Sequence, residues 1–129
     1  MDKIDKEQLY NTAWKHWGPE NNLNVAIEEM AEFIQAILKT RRNGVTYSYA
    51  FSEELADVLI CLEQIETRLK QMPYDVHKFP DCSHNMWDHQ VMEIKEKKLL
   101  RLKERLMESM LEKHPHLKDV TVGTPGANR

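Results

Sequence analysis

Apolar residues recur at helical spacing along four stretches of the chain, and polar residues fill the remaining faces. In the first, about residues 5 to 17, Tyr10, Ala13, Trp14 and Trp17 fall on one side and Gly18-Pro19 closes the stretch. The second, about Asn22 to Arg41, carries Leu23, Ile27, Met30, Ile34 and Ile37 as a stripe at heptad-like spacing. It ends in Lys39-Thr40-Arg41-Arg42-Asn43-Gly44, where cations suit the C-terminal dipole and glycine suits the cap. The third is expected to start after a Ser52 cap, with Glu53 and Glu54 in its first turn, and to stop near Gln71, before Pro73. Its stripe is Phe51, Leu55, Val58, Leu62, Ile65 and Leu69. The fourth, about Asp88 to Lys113, carries Met92, Leu99, Leu102, Leu106 and Met110. Residues 45–50 read as a short connection, brief extended turn or lid, and 72–89 as the least regular segment. The pattern predicts an all-α fold of four-helix-bundle type: one helical domain over residues 1–113 and a flexible tail over 114–129.

Acidic residues intrude on two of these stripes. Glu29 and Glu32 are three apart, which sets them roughly 60° from one another on the helical wheel. Glu29 lies at the stripe margin beside Phe33 and Ala36, whereas Glu28 falls opposite and reads as solvent-directed. In the third helix Glu54 lies within roughly 40° of the stripe's centre and Asp57 at its edge, giving a second inward pair at the same spacing. If the helices pack along their stripes, four carboxylates converge, and charge left uncompensated in a core costs several kcal/mol per ion. A hard divalent cation is the simplest compensation. All-oxygen ligands favour Mg²⁺, with Mn²⁺ as a substitute, and Mg²⁺ keeps waters that substrate phosphates can replace. Solvated helix faces would be the ordinary explanation of such pairs, but they give no reason for an acid among apolar positions.

Composition narrows the class without choosing the chemistry. The chain has 129 residues, 41% hydrophobic and 30% charged, with 4 Gly and 5 Pro. Such a balance fits a helical globular protein. A net charge of -3 gives no global attraction to nucleic acid. No stretch reaches the length of a membrane span, and Met1-Asp2-Lys3-Ile4-Asp5-Lys6 lacks the apolar core of a signal peptide, so a cytoplasmic protein without a membrane partner is expected. Cys61 and Cys82 form no disulfide framework, and Cys61 reads as a small core residue.

The run Glu28-Glu29-x-x-Glu32, a spacer of twenty-odd residues and Glu54-Leu55-Ala56-Asp57-Val58-Leu59-Ile60 resemble the MazG-like all-α nucleoside triphosphate pyrophosphohydrolases, a superfamily that includes dimeric dUTPases and dCTP pyrophosphatases. The matching region is about residues 14 to 69. The resemblance implies a MazG-type domain assembled as a homodimer or homotetramer, and hydrolysis of a (d)NTP to (d)NMP and pyrophosphate. Glu29, Glu32, Glu54 and Asp57 would be the Mg²⁺ ligands and catalytic carboxylates, with Glu29 or Glu32 as base. It points to a pyrimidine deoxynucleotide such as dUTP or dCTP, or to a noncanonical nucleotide. The width and apolarity of the stripes separately call for self-association.

The remaining candidates carry two readings each. Trp14 and Trp17 either pack, as aromatics at helical spacing commonly do, or one of them stacks on a nucleobase. Asn11, Asn21 or Asn22 can hydrogen-bond base or sugar, or an asparagine beside Pro19 caps a helix. The cations at Lys39 to Arg42 read first as a helix cap and second as phosphate ligands. Lys95 falls on the apolar face of the last helix with Lys98 at its edge: a salt-bridge partner, a snorkelling side chain, or, as the resemblance favours for either lysine, a phosphate ligand. His77, Cys82, His84 and His89 match no zinc spacing and read as a polar loop. A noncatalytic helical oligomerisation or nucleotide-binding protein is the alternative to an enzyme.

Overall fold

The computed structural model describes residues 3–73 and 85–117. It is all-helical, with no strand among the described residues: α1 Lys6–Trp17, α2 Pro19–Arg42, α3 Tyr49–Lys70, a π-helical turn Trp87–Val91, α4 Met92–Lys113 and a 3₁₀ turn Pro115–Leu117. An isolated antiparallel bridge joins Pro73 to Asn85. No described helix is long and apolar enough to cross a membrane. The chain divides into two compact units, Met1–Trp87 and Asp88–Arg129.

Local chemistry sets the helix ends. The Asp5 side chain caps α1 by accepting from the Gln8 N–H at 3.1 Å, which satisfies one of the amides that a helix start leaves without a partner. Gly18, at φ 85°, ends α1 and leads straight into α2, whose first residue is Pro19 rather than the expected Asn22. Proline suits that position because its missing N–H and fixed φ cost nothing in a first turn. Asn22 does act at a helix end, that of α1: its buried side-chain amide donates to the Gly18 carbonyl at 2.6 Å and the Ala13 carbonyl at 3.5 Å. Asn43 and Gly44 close α2, with Gly44 at φ 72° and the Val45 N–H reaching back to the Thr40 carbonyl at 3.0 Å. This is a Schellman arrangement.

Helix α3 begins earlier than expected. Its cap is Ser48, whose Oγ accepts from the Phe51 N–H at 3.2 Å. Ser52 is therefore already inside the helix, and no acid stands in the first turn. The Tyr47 ring packs edge-on to Phe51 across the cap with 5.1 Å between centroids. Phe51 in turn meets Phe33 of α2 at 5.3 Å, a spacing typical of tilted aromatic pairs. At the start of the last helical stretch the ladder is π-helical over Trp87–Val91, and α-helix proper begins at Met92, not at Asp88.

The packing of the first unit corrects the main expectation about α2. The stripe Leu23, Ile27, Met30, Ile34 and Ile37 is exposed, Ile27 at 65% and Ile34 at 58%. Facing α3 is the parallel set one residue back: Asn22, Ala26, Glu29, Phe33, Ala36 and Thr40, every one of them buried or half-buried. Both sets alternate steps of four and three, and a shift of one residue turns the helix by about 100°. Ala26 and Ala36 leave room for the partner helix. On α3 the predicted stripe is mostly inward: Val58 is buried and Phe51, Leu55, Ile65 and Leu69 are half-buried, whereas Leu62 is exposed. In α4 the residues Leu99, Leu102, Leu106 and Met110 are exposed.

Helix α1 is tied to α3 by a polar link. Buried Tyr10 donates its hydroxyl to Glu63 Oε2 at 2.5 Å, and Lys6 Nζ lies 3.6 Å from the same oxygen. That hydrogen bond, with burial and the carboxylate's charge, pushes the Tyr10 phenol up to about 12 and holds Glu63 below the usual carboxylate range. The tyrosine's contribution to stability is therefore complete below pH 10 and is lost as pH rises through about 12; that of Glu63 is lost as pH falls through its depressed value. Tyr10→Phe is expected to cost about 1 kcal/mol in urea unfolding at pH 7, less than a buried charged hydrogen bond because Glu63 is partly exposed. It should also flatten the alkaline loss of stability between pH 10 and 12, and an unchanged alkaline limb would refute the link.

Candidate metal and substrate site

The carboxylates of α2 and α3 meet where the two helices pack. One oxygen each of Glu29, Glu54 and Asp57 lies within 4.8 Å of the others, Glu29 and Glu54 half-buried and Asp57 exposed. The fourth predicted residue, Glu32, is exposed and stands against Glu54, with its carboxyl in hydrogen-bonding contact. Glu28 is exposed, as the wheel requires. Glu29 Oε2 and Glu54 Oε2 are shielded from solvent and have no hydrogen-bond partner.

This arrangement is unfavourable while it lacks a countercharge. Burial raises the Glu29 carboxyl above its ordinary value, and the charges of Asp57, Glu32, Glu54 and Glu28 raise it further. Glu54 rises for the same first reason, then through Glu32, by charge and by hydrogen bond, and through Asp57 and Glu53. Ionising either group opposes the fold at neutral pH; with both values raised, that penalty grows as pH rises through them and disappears below the ordinary 4.5. A hard divalent cation fits the donor set: three oxygens from two helices, two shielded oxygens without a partner, and no described His or Cys among the three. Because a cation must displace protons here, the rise in melting temperature produced by Mg²⁺ is expected to be larger at pH 7 than at pH 4.5, the ordinary carboxyl value, in thermal unfolding. Equal shifts at both values would refute the assignment.

A cavity of about 320 Å³ opens on one side of the cluster, walled by Trp17, Asn21, Val25, Ile60 and Gln64 and by the carboxylates Glu29 and Asp57. It distinguishes the two tryptophans. Trp17 is 60% exposed and stands at the cavity wall rather than in the packed side of α1. Trp14 is half-buried against α3, with the Arg68 guanidinium 5.9 Å from its ring centroid, and does not line the cavity. Among the asparagines, Asn11 accepts from Gln71 Nε2 at 2.7 Å, and Asn21 and Asn22 both line the cavity, the Asn22 amide nitrogen being held by backbone carbonyls.

Sequence reasoning missed Val25, Ile60 and Gln64, and took Cys61 only as core. The signal was present: Val25 precedes Glu29 by one turn, and Ile60, Cys61 and Gln64 follow Asp57 by three, four and seven residues on the same helical face. Cys61 is buried and also lines the cavity. Burial and then the charges of Glu29 and Asp57 push its thiol up, which makes it a poor nucleophile.

Lys95 and Lys98 are exposed on α4, in the second unit. Of the histidine and cysteine group, His77, Cys82 and His84 lie outside the described residues, and His89 Nδ1 is 3.8 Å from Glu93 Oε1. The tail from residue 118 onward also lies outside them. No protein-family model, curated protein or solved structure matches the chain.

Proposed function

We propose that the chain is a divalent-metal-dependent hydrolase of phosphoanhydrides. More specifically, it is a nucleoside triphosphate pyrophosphohydrolase of MazG-like type that converts a (d)NTP to the monophosphate and pyrophosphate. The observation that carries this reading is the convergence of Glu29, Glu54 and Asp57 within 4.8 Å, with two shielded and unpartnered oxygens, beside a cavity with an aromatic and amide wall.

Glu29, Glu54 and Asp57 would hold Mg²⁺, or Mn²⁺ in its place. The ion supplies charge neutralisation at phosphate oxygens and lowers the pKa of a water at neutral pH. Glu32, left out of the triad, takes the water's proton as oxygen bonds to the α phosphorus; the bond to the bridging oxygen breaks and pyrophosphate departs with that electron pair. Trp17 stacks on the base, and the Asn21 and Gln64 carboxamides, each both donor and acceptor, meet its polar edge. The resemblance points to a pyrimidine deoxynucleotide such as dUTP or dCTP, or to a noncanonical nucleotide, and the cavity of about 320 Å³ has room for such a base. The working form is a homodimer or homotetramer, associated through the exposed isoleucine stripe of α2.

A helical association protein without chemistry would account for the exposed stripes of α2 and α4, but it leaves two unpartnered carboxylate oxygens unexplained. The decisive experiment is pyrophosphate release from a panel of canonical and modified nucleoside triphosphates, with and without Mg²⁺. Release that requires the metal supports the enzyme; no release from any nucleotide by folded protein would end the catalytic assignment of all four carboxylates.

A further inference from the structure

The carboxylate cluster separates two cavities of nearly equal size. Glu29 and Asp57 face the cavity of about 320 Å³ that contains Trp17. Glu32 and Glu54 face a second, of about 330 Å³, whose wall continues along α2 through Gln35 to Lys39 and crosses to Ser48 and Phe51 at the start of α3. Their chemistry differs. The first has no cation in its wall, whereas Lys39 stands in the second and makes no ion pair with a described residue.

We propose that Lys39 binds the pyrophosphate half of the substrate in this second cavity, so that the nucleotide lies across the carboxylates with its base toward Trp17 and its outer phosphates toward the C-terminal end of α2. The inference rests on the pyrophosphohydrolase reading and adds a direction and a residue to it. Lys39 is seven residues beyond Glu32, two turns on the same face and about 10 Å along the axis. Long helical side chains lean toward the N-terminus, which carries the ammonium back toward the carboxylates. Ser48 Oγ accepts from the Phe51 N–H, which leaves its hydroxyl proton available to a phosphate oxygen. Lys39 also borders a third cavity, whose wall holds two further cations, Arg41 and Arg42. A cation at the end of α2 already has a local purpose, since it offsets the helix dipole. That purpose predicts an effect on stability and none on which phosphates are bound.

The test is calorimetric titration of inorganic pyrophosphate, in the presence of Mg²⁺, into the full chain and into Lys39→Ala, Lys39→Arg and Trp17→Ala, with dUMP and dCMP titrated in parallel. Lys39 is exposed, so loss of fold is not expected, and circular dichroism and melting temperature check that. Lys39→Ala should weaken pyrophosphate binding about tenfold or more, Lys39→Arg by less than about threefold, and Trp17→Ala by less than about twofold. Monophosphate binding should show the reverse sensitivity, weakened by Trp17→Ala and unaffected by Lys39→Ala. Pyrophosphate affinity unchanged in Lys39→Ala, or lowered equally by Trp17→Ala, would overturn the proposal, as would absence of pyrophosphate binding to the wild type. If Mg²⁺-dependent nucleotide hydrolysis is present when any of these occurs, only the direction and Lys39 are wrong; if it too is absent, the functional reading fails with them.

Discussion

Glu54→Gln is expected to give a protein at least as heat-stable as the wild type in the absence of metal, and one that releases pyrophosphate about a hundred to a thousand times more slowly. The loss is of the size seen when one charge-stabilising group is removed from an active site. Both effects come from the same cause. Glu54 is half-buried among apolar positions of α3, with one shielded oxygen unpartnered and with Glu32 and Asp57 as like-charged neighbours. Glutamine keeps the shape and removes the repulsion, so the metal-free fold relaxes; it also removes a ligand charge, so the rise in melting temperature expected of the wild type with Mg²⁺ should be lost. The stability difference should be greatest at neutral pH and shrink as pH falls through the raised Glu54 value toward 4.5, since the wild-type carboxyl is then neutral as well. Thermal unfolding with and without Mg²⁺, beside the pyrophosphate assay, reads all three. A variant that melts lower without metal and retains its Mg²⁺ shift would show Glu54 to be structural.

The double substitution Ile27→Glu and Ile34→Glu is expected to abolish self-association. These side chains are 65% and 58% exposed, and they stand in one stripe with Leu23, Met30 and Ile37, all exposed on α2. Monomeric proteins seldom leave contiguous apolar faces of this kind in water. Heptad-like spacing of Ile and Leu is the pattern by which one helix seats its side chains between those of another, and a second copy of α2 offers the same face. In sedimentation velocity the wild type should run as a dimer or larger, and the double variant as a smaller species, with a dissociation constant raised by about a hundredfold or more. Far-ultraviolet circular dichroism of the variant should stay near wild type, because the face toward α3 is untouched. A wild type that sediments as a monomer at high concentration would remove the second copy from the interpretation and leave the stripe for another partner.

The four helical stretches and most of their ends were legible because they depend on neighbours in sequence. Gly18-Pro19 must break α1, Gly44 can take the positive φ that closes α2, and Pro73 stands beyond the end of α3. The start of α3 was less legible, since Ser48 and Ser52 are both competent caps one turn apart. Ser48 has the cap, and Phe51, just inside it, packs on Tyr47 and on Phe33 of the neighbouring helix. The acidic pairs were visible as carboxylates intruding on apolar faces. That Glu29 joins Glu54 and Asp57, while Glu32 stands beside them, depends on the register of α2 against α3.

Residue spacing and cap chemistry were enough to establish the all-helical class, the approximate ends of the helices and the intrusion of Glu29 and Glu54 on the packed faces of two helices, since each follows from interactions within a few turns. Which side of α2 meets α3 was settled by packing between the helices. Two stripes one residue apart satisfy the same periodicity, and the one lined with Ala26, Glu29, Phe33 and Ala36 packs inward although the isoleucine stripe is more apolar. Periodicity records that a face will be covered and not by what. The choice depends on how closely the helices can approach, and that is a property of the pair, absent from either segment alone.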